Sequence, residues 1–174
     1  MAFTVAAVPA SADNLIYWSP GAKLQFADFM GKRSRGDHSY VGKTASTIVP
    51  KIKYTSDSVY YKVDCVFQKD NSVIIGRSRS VLEHEQGHFD ITEIVARQIR
   101  KNLSALSAAA VNAASVNNIV AEAYRQGREI QEAYEADCGY GDVPGRQEAW
   151  NRRIAEMLDA LKGYEQPERV VKLN

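Results

Sequence analysis

Two histidines and a glutamate near the middle of the chain have the residue types and the spacing of a metal site. His84 and His88 lie four residues apart, and Glu85 directly follows the first of them, in the stretch HEQGH. On an α-helix, positions i and i+4 project from the same face, so two imidazoles there can bind one ion together. The glutamate can then polarise a water molecule and carry its proton to a leaving amine. Zinc suits this chemistry because it takes nitrogen and oxygen ligands tetrahedrally and keeps one position open.

The same histidines also fit an amphipathic helix that binds no metal. An apolar stripe at helical spacing includes Val81, His84, His88, Ile91, Val95 and Ile99. Gly87 lies inside the motif, where glycine costs a helix about 1 kcal/mol relative to alanine. This cost is either tolerated or explained by the close approach of another backbone or of a substrate.

The elements that must position the motif change from strands to helices along the chain. Residues 15–19, 44–54, 58–69 and 73–76 are rich in β-branched and aromatic residues. Polar turn residues at 55–57 predict an antiparallel hairpin between the second and third of these segments. Within the third segment Tyr61, Val63, Cys65 and Phe67 alternate with more polar residues, which is typical of a half-buried strand. A substrate-binding edge strand is expected somewhere within 44–76.

The second half of the chain predicts three helices. Ser80 and Glu83 have the spacing of a capping box, so the motif helix is expected to begin there. An alanine-rich helix follows over about 106–135, and a last helix over 146–161 after a glycine- and proline-containing break. Strands first and helices afterwards predict an α+β fold.

The composition restricts the partners. The chain has 174 residues, which is enough for one sizeable core, and its net charge of +1 gives no reason to expect nucleic acid. No apolar run is long enough to span a bilayer. We interpret residues 1–12 as an N-terminal extension or export-signal remnant, and 13–174 as a single domain. The sequence indicates no oligomeric state.

Three segments together resemble a bacterial family described as predicted secreted zinc-dependent proteases. They are HEQGHFDITEIVARQIRKNL (84–103), WSPGAKLQFADFMGK (18–32) and YEADCGYGDVPGRQEAWNRRI (134–154). The resemblance implies a compact zincin-like domain, exported, with His84 and His88 as zinc ligands and Glu85 as the base. In an exported protein Cys65 and Cys138 could form a disulfide, and we expect one.

The third zinc ligand is expected near 135–140, because a turn that ends a second helix can bring a ligand onto the first. There DCGYG (137–141) resembles the D-x-x-Y-G element of the aspzincin metalloproteases. In that group the aspartate is the third ligand and the tyrosine stabilises the transition-state oxyanion. The resemblance thus implies Asp137 as a zinc ligand and Tyr140 as a catalytic phenol.

Other residues remain alternatives for the third ligand. In the bacterial family a histidine falls where this chain has Tyr140, so Tyr140 itself could bind the metal, and Glu135 is a further candidate. Glu93 would point away from the two histidines, and His38 lies in a polar loop. Asp90 could hydrogen-bond a ligand histidine from outside the metal shell.

These observations predict an exported zinc metallohydrolase, periplasmic or secreted, that acts as a peptidase on a peptide or protein substrate. The alternative is a metal-binding or partner-binding envelope protein on the same fold without turnover. The histidine replaced by Tyr140 favours that alternative.

Overall fold

A computed structural model describes residues 12–36, 39–141, 143 and 145–174. His38 and the N-terminal residues 1–11 therefore lie outside the described residues. The described chain is α+β, with an antiparallel sheet followed by three helices, as the sequence predicts.

The main sheet is built around β4 (Ser58–Gln68). Strand β3 (Ser46–Tyr54) pairs with β4 along its whole length, and β1 (Leu15–Tyr17) and β6 (Glu168–Lys172) pair with its two ends. The predicted hairpin is confirmed, and its turn is closed by the Thr55 amide, which donates to the Ser58 carbonyl at 2.9 Å. A separate small sheet pairs β2 (Gly42–Lys43) with β5 (Val73–Ile74).

The predicted alternation along β4 is also confirmed. Tyr61, Val63, Cys65 and Phe67 are all buried. They face α1 (Arg79–Ser104), whose apolar residues complete the core of the sheet. Burial of one face of β4 thus fixes how the sheet meets the helix that carries the motif.

Helix α1 begins earlier than predicted, and the expected capping box is wrong. The N-cap is Ser78, whose hydroxyl accepts from the Val81 amide at 3.5 Å. The Glu83 carboxylate instead accepts from the Asn151 side chain at 2.5 Å. The bond predicted from Glu83 back to the start of its own helix is thus replaced by a bond to another helix, and Ser78 caps α1 instead of Ser80.

The second helix, α2 (Ala113–Cys138), begins after an Asn112 cap and runs three residues past its predicted end. It ends at Gly139, which has a left-handed φ of 50°. The third helix, α3 (Arg146–Ala160), agrees with its prediction to within a residue. The helix begins about seven residues later than predicted, but its later end places residues 135–138 on helical faces rather than in a turn.

The two cysteines do not form the disulfide predicted for them. Both are buried free thiols. Cys65 belongs to the core between the sheet and α1, whereas Cys138 belongs to a second apolar cluster with Tyr134 and Trp150. The thiols are kept apart because the chain builds its interior from two clusters. Among the described residues, no helix is both long and apolar enough to cross a membrane.

Candidate metal centre

Helix α1 brings the imidazoles of the motif together as its spacing predicts. His84 is fully buried, and the side chain of His88 is 18% exposed. Their Nε2 atoms lie 3.1 Å apart. The two rings therefore present one nitrogen each to the same point.

Helix α2 supplies a third atom at that point. Oε2 of Glu135 lies 3.1 Å from Nε2 of His84 and 3.1 Å from Nε2 of His88. The three atoms form a nearly equilateral triangle. Tetrahedral zinc at about 2.0–2.1 Å from such ligands holds them about 3.3 Å apart, so this triangle is the right size for zinc. His84, His88 and Glu135 could thus hold a metal ion.

The outer nitrogens of both rings face glutamine side chains. His88 Nδ1 lies 2.5 Å from the Gln131 amide oxygen, and His84 Nδ1 lies 3.3 Å from that of Gln147. The orientation of each amide is fixed because its NH₂ donates elsewhere, from Gln131 to the His88 carbonyl and from Gln147 to the Tyr134 hydroxyl. Each Nδ1 is then a donor, which leaves the lone pair of each Nε2 directed at Glu135.

Two nitrogen lone pairs and a carboxylate oxygen in mutual contact require a cation or a proton between them. Burial lowers the pKa of His84, and the charge of His88 lowers it further. Burial acts on His88 in the same direction, but bonds to Glu135 and Gln131 and the charge of Glu85 outweigh it and raise its pKa. The pair therefore favours a single positive charge, which a metal ion would replace.

Glu85 is buried beside this centre and has an unused oxygen. Its Oε2 is buried without a hydrogen-bond partner among the described residues. Burial raises the pKa of Glu85, against the opposing effects of Thr44 and His88. A buried carboxylate with a free oxygen and a raised pKa has the properties of a general base.

Strand β2 passes directly over this carboxylate. A Cβ atom on Gly42 would overlap the side chain of Glu85, with Cγ and Cδ both closer than 3.0 Å. The glycine in β2 therefore leaves the space in which Glu85 lies.

The glycine inside the motif is explained by the close approach of a side chain, rather than by that of a backbone or substrate as considered from the sequence. A Cβ on Gly87 would overlap the phenol of Tyr134. The Tyr134 hydroxyl donates to the His84 carbonyl at 3.0 Å, and its ring stacks on the His84 ring at 4.6 Å. Gly87 thus allows α2 to reach the ligand helix.

The structure places Asp137 away from the cluster. Residues two apart on a helix point about 200° from each other, so Glu135 and Asp137 lie on opposite faces of α2. Asp137 accepts from the Trp150 indole at 3.0 Å. The side chain of Tyr140 lies outside the described part of the chain.

Two other residues weighed from the sequence have structural partners. Asp90 contacts neither ligand histidine through its hydrogen bonds, but accepts from Trp18 at 2.8 Å and from Gln86 at 2.9 Å. Glu93 is buried with Arg97 and Arg100 and points away from the cluster, as expected.

The residues that sequence reasoning missed or ranked low share one face of α2. Gln131, Tyr134 and Glu135 have the spacing i, i+3 and i+4, which places them side by side. The sequence signal that could have identified them is this polar Q-x-x-Y-E pattern, because the other buried residues of α2 are small or apolar. Gln147 of α3 had no comparable local pattern.

Residues 76–141 match the model of a family described as "Bacterial protein of unknown function (DUF922)". The matched range includes all of α1 and α2, and with them His84, Glu85, His88 and Glu135. No curated protein and no solved structure matches the chain.

Proposed function

We propose that the protein is a zinc-dependent hydrolase and that it cleaves peptide bonds. The observation that carries the proposal is the convergence of three atoms that could bind a metal, from His84, His88 and Glu135, beside Glu85, whose Oε2 has no hydrogen-bond partner among the described residues. Two imidazoles, one carboxylate and a neighbouring base are the parts used by zinc peptidases of the H-E-x-x-H type.

Each residue has a distinct role in this proposal. His84, His88 and Glu135 would hold the zinc. When bound, zinc supplies Lewis acidity, which makes water acidic enough to react near neutral pH and polarises a carbonyl. Glu85 would accept a proton from the attacking water at its free Oε2 and donate it to the leaving amine.

In this proposal an extended peptide lies along β3. Within the described residues β3 pairs only with β4, so its other edge is open. The Tyr124 hydroxyl donates to the Ile48 carbonyl at 3.3 Å, which shows that the backbone polar groups of Ile48 point outwards. Pro50 lies two residues after Ile48, so its backbone faces the same open edge. Proline has no amide hydrogen, as suits a residue at an edge. Extended peptides bind such edges by adding a strand.

A cavity of about 160 Å³ lies between this edge and the helices. It is lined by Ser46, Thr47, Ile48, Thr92, Val95, Tyr124, Gly127, Arg128 and Gln131. Gln131 also contacts His88, so the cavity adjoins the metal centre. A side chain of a peptide lying on β3 could enter it.

The proposal is tested by metal analysis and by peptide cleavage. Purified protein should contain about one zinc per chain, lost in His88→Ala and kept in Glu85→Gln. Hydrolysis of a peptide library should be abolished in both variants. Zinc binding without cleavage by the native protein would favour a metal-binding protein without turnover, and protein that binds no zinc would overturn both.

A further inference from the structure

Both ligand histidines are held from outside by a glutamine, in the same way. We propose that Gln131 and Gln147 are positioning residues that fix the tautomer and orientation of the two imidazoles and thereby determine the zinc affinity. The inference rests on the proposed zinc site and assigns roles to residues that do not contact the metal.

Gln131 holds His88 at two points. Its amide oxygen accepts from the His88 ring at 2.5 Å, and its NH₂ donates to the His88 backbone carbonyl at 3.0 Å. Ring and backbone of one residue are thus fixed by one side chain from α2. The His88 ring cannot rotate about its side-chain torsions without breaking one of these bonds.

Gln147 holds His84 in an equivalent way through Tyr134. Its amide oxygen faces the His84 ring at 3.3 Å, and its NH₂ donates to the Tyr134 hydroxyl at 2.7 Å. That hydroxyl donates to the His84 backbone carbonyl at 3.0 Å. The same NH₂ donates to Asn151 at 2.9 Å, and Asn151 donates to Glu83. Helix α3 is thereby connected to the ligand helix.

An amide is suited to this position because it accepts and donates at once. A carboxylate could accept from Nδ1 but could not donate to a carbonyl or a phenol. The amide is also neutral, so it orients each imidazole without adding negative charge to it. Zinc binding then depends on the acceptor oxygen that keeps each Nε2 lone pair directed at the ion.

Substitutions at the two glutamines distinguish positioning from packing. Gln147→Met and Gln131→Met keep the size of the side chain but remove the acceptor, and should weaken zinc binding about 10- to 100-fold. Gln147→Glu and Gln131→Glu keep the acceptor and should bind zinc at least as tightly as the native protein. The donor lost at position 131 is tolerable because the His88 carbonyl keeps its bond from Thr92, and at position 147 the Tyr134 hydroxyl, which lies 2.7 Å from the Gln147 amide, can donate to the new carboxylate.

If the glutamines only fill space, the methionine variants should bind zinc more tightly than the glutamate variants. The reason is that burying a carboxylate costs free energy, whereas burying methionine does not. The measurement is a zinc titration against a chromophoric chelator, with thermal unfolding followed by circular dichroism to establish that each variant is folded. Gln126 provides a matched control on α2, because it is exposed and, among the described residues, its side chain bonds only to Glu122. Gln126→Met and Gln126→Glu should match the native affinity.

The two proposals fail in different ways. Native protein that binds no zinc would overturn the proposed function together with this inference. Native protein that binds zinc, with methionine variants of equal affinity, would overturn the inference alone. If Gln147→Met does not fold, the comparison at the partly exposed Gln131 carries the same test.

Discussion

The Glu135 carboxylate lies 3.1 Å from the Nε2 atom of His88, across the interface between two helices and 47 residues further along the chain. The contact exists because α2 packs closely against α1 at two glycines. Gly87 accepts the phenol of Tyr134, and Gly127 faces Val95, whose methyl group would lie 2.5 Å from an added Cβ. The His84–His88–Glu135 cluster is thus a product of helix packing as much as of the H-E-x-x-H motif.

This relationship predicts that Glu135 is the third zinc ligand and that Asp137 is not. Glu135→Gln should weaken zinc binding by more than the roughly 10- to 100-fold that an outer-shell partner contributes, because it removes a charged ligand. Asp137→Asn is the matched control, since its amide oxygen can still accept from Trp150. Both variants are measured by zinc titration. If Asp137→Asn bound zinc more weakly than Glu135→Gln, Asp137 would be the ligand.

A second prediction concerns Gly42, which lies over the carboxylate that we propose as the base. Gly42→Ala should leave zinc content unchanged but reduce peptide hydrolysis, because the methyl group displaces the Glu85 side chain. A displacement of about 1 Å at a reacting group can reduce the rate about 10²-fold. Gly163→Ala is the control, since in the described part of the chain no atom beyond its two neighbours in sequence lies within 4 Å of its added Cβ. If native protein and Gly42→Ala had equal kcat values, a residue other than Glu85 would be the base.

A third prediction tests the contact between Gly87 and Tyr134. Gly87→Ala should lower the free energy of unfolding by about 1–3 kcal/mol, because overlap with the phenol exceeds the gain of about 1 kcal/mol in helix propensity. Urea unfolding measures the change. In a double-mutant cycle, Tyr134→Leu should reduce the cost of the alanine, since it removes the overlapping ring. Additive effects would mean that the two residues do not determine each other's position.

The sequence was sufficient for the half of the site that lies within one helix. His84, Glu85 and His88 lie within five consecutive residues, and helical geometry alone brings the imidazoles together. Asp137, the third ligand predicted from the sequence, lies two residues from Glu135 and on the opposite face of α2. Helix α2 continues to Cys138, and three extra residues change which side chain points at α1. Local propensity does not fix a helix end to that accuracy.

The fold shows a similar division. The β3–β4 hairpin was predictable from its turn and from the alternation along β4, because one face of the strand is buried. Strand β6 was not, since its residues are mostly exposed and carry no such pattern. Its pairing with β4 depends on a segment before it that is held by buried arginines of α1. Interactions between residues distant in sequence have no periodic signal.

Those arginines give the last prediction. Glu93, Arg97 and Arg100 are almost completely buried, and Glu93 accepts from Arg97 at 3.0 Å and from Arg100 at 2.8 Å. Arg100 also donates to the carbonyls of Val63 and Tyr164, which ties the central strand and the C-terminal segment to α1. Glu93→Gln removes the carboxylate that both buried guanidinium groups share and leaves Arg97 with Glu165 and Arg100 with backbone carbonyls, and should lower the free energy of unfolding by about 3–5 kcal/mol.

The matched control for Glu93 is Glu129, which forms an exposed pair with Arg125 on α2. Glu129→Gln should change the free energy of unfolding by no more than about 1 kcal/mol, because water screens the pair. Urea unfolding measures both variants, and a zinc titration of the folded protein should give one site in each. A Glu93→Gln variant as stable as Glu129→Gln would mean that Arg97 and Arg100 are held by backbone carbonyls and Glu165 alone, since these are their other acceptors.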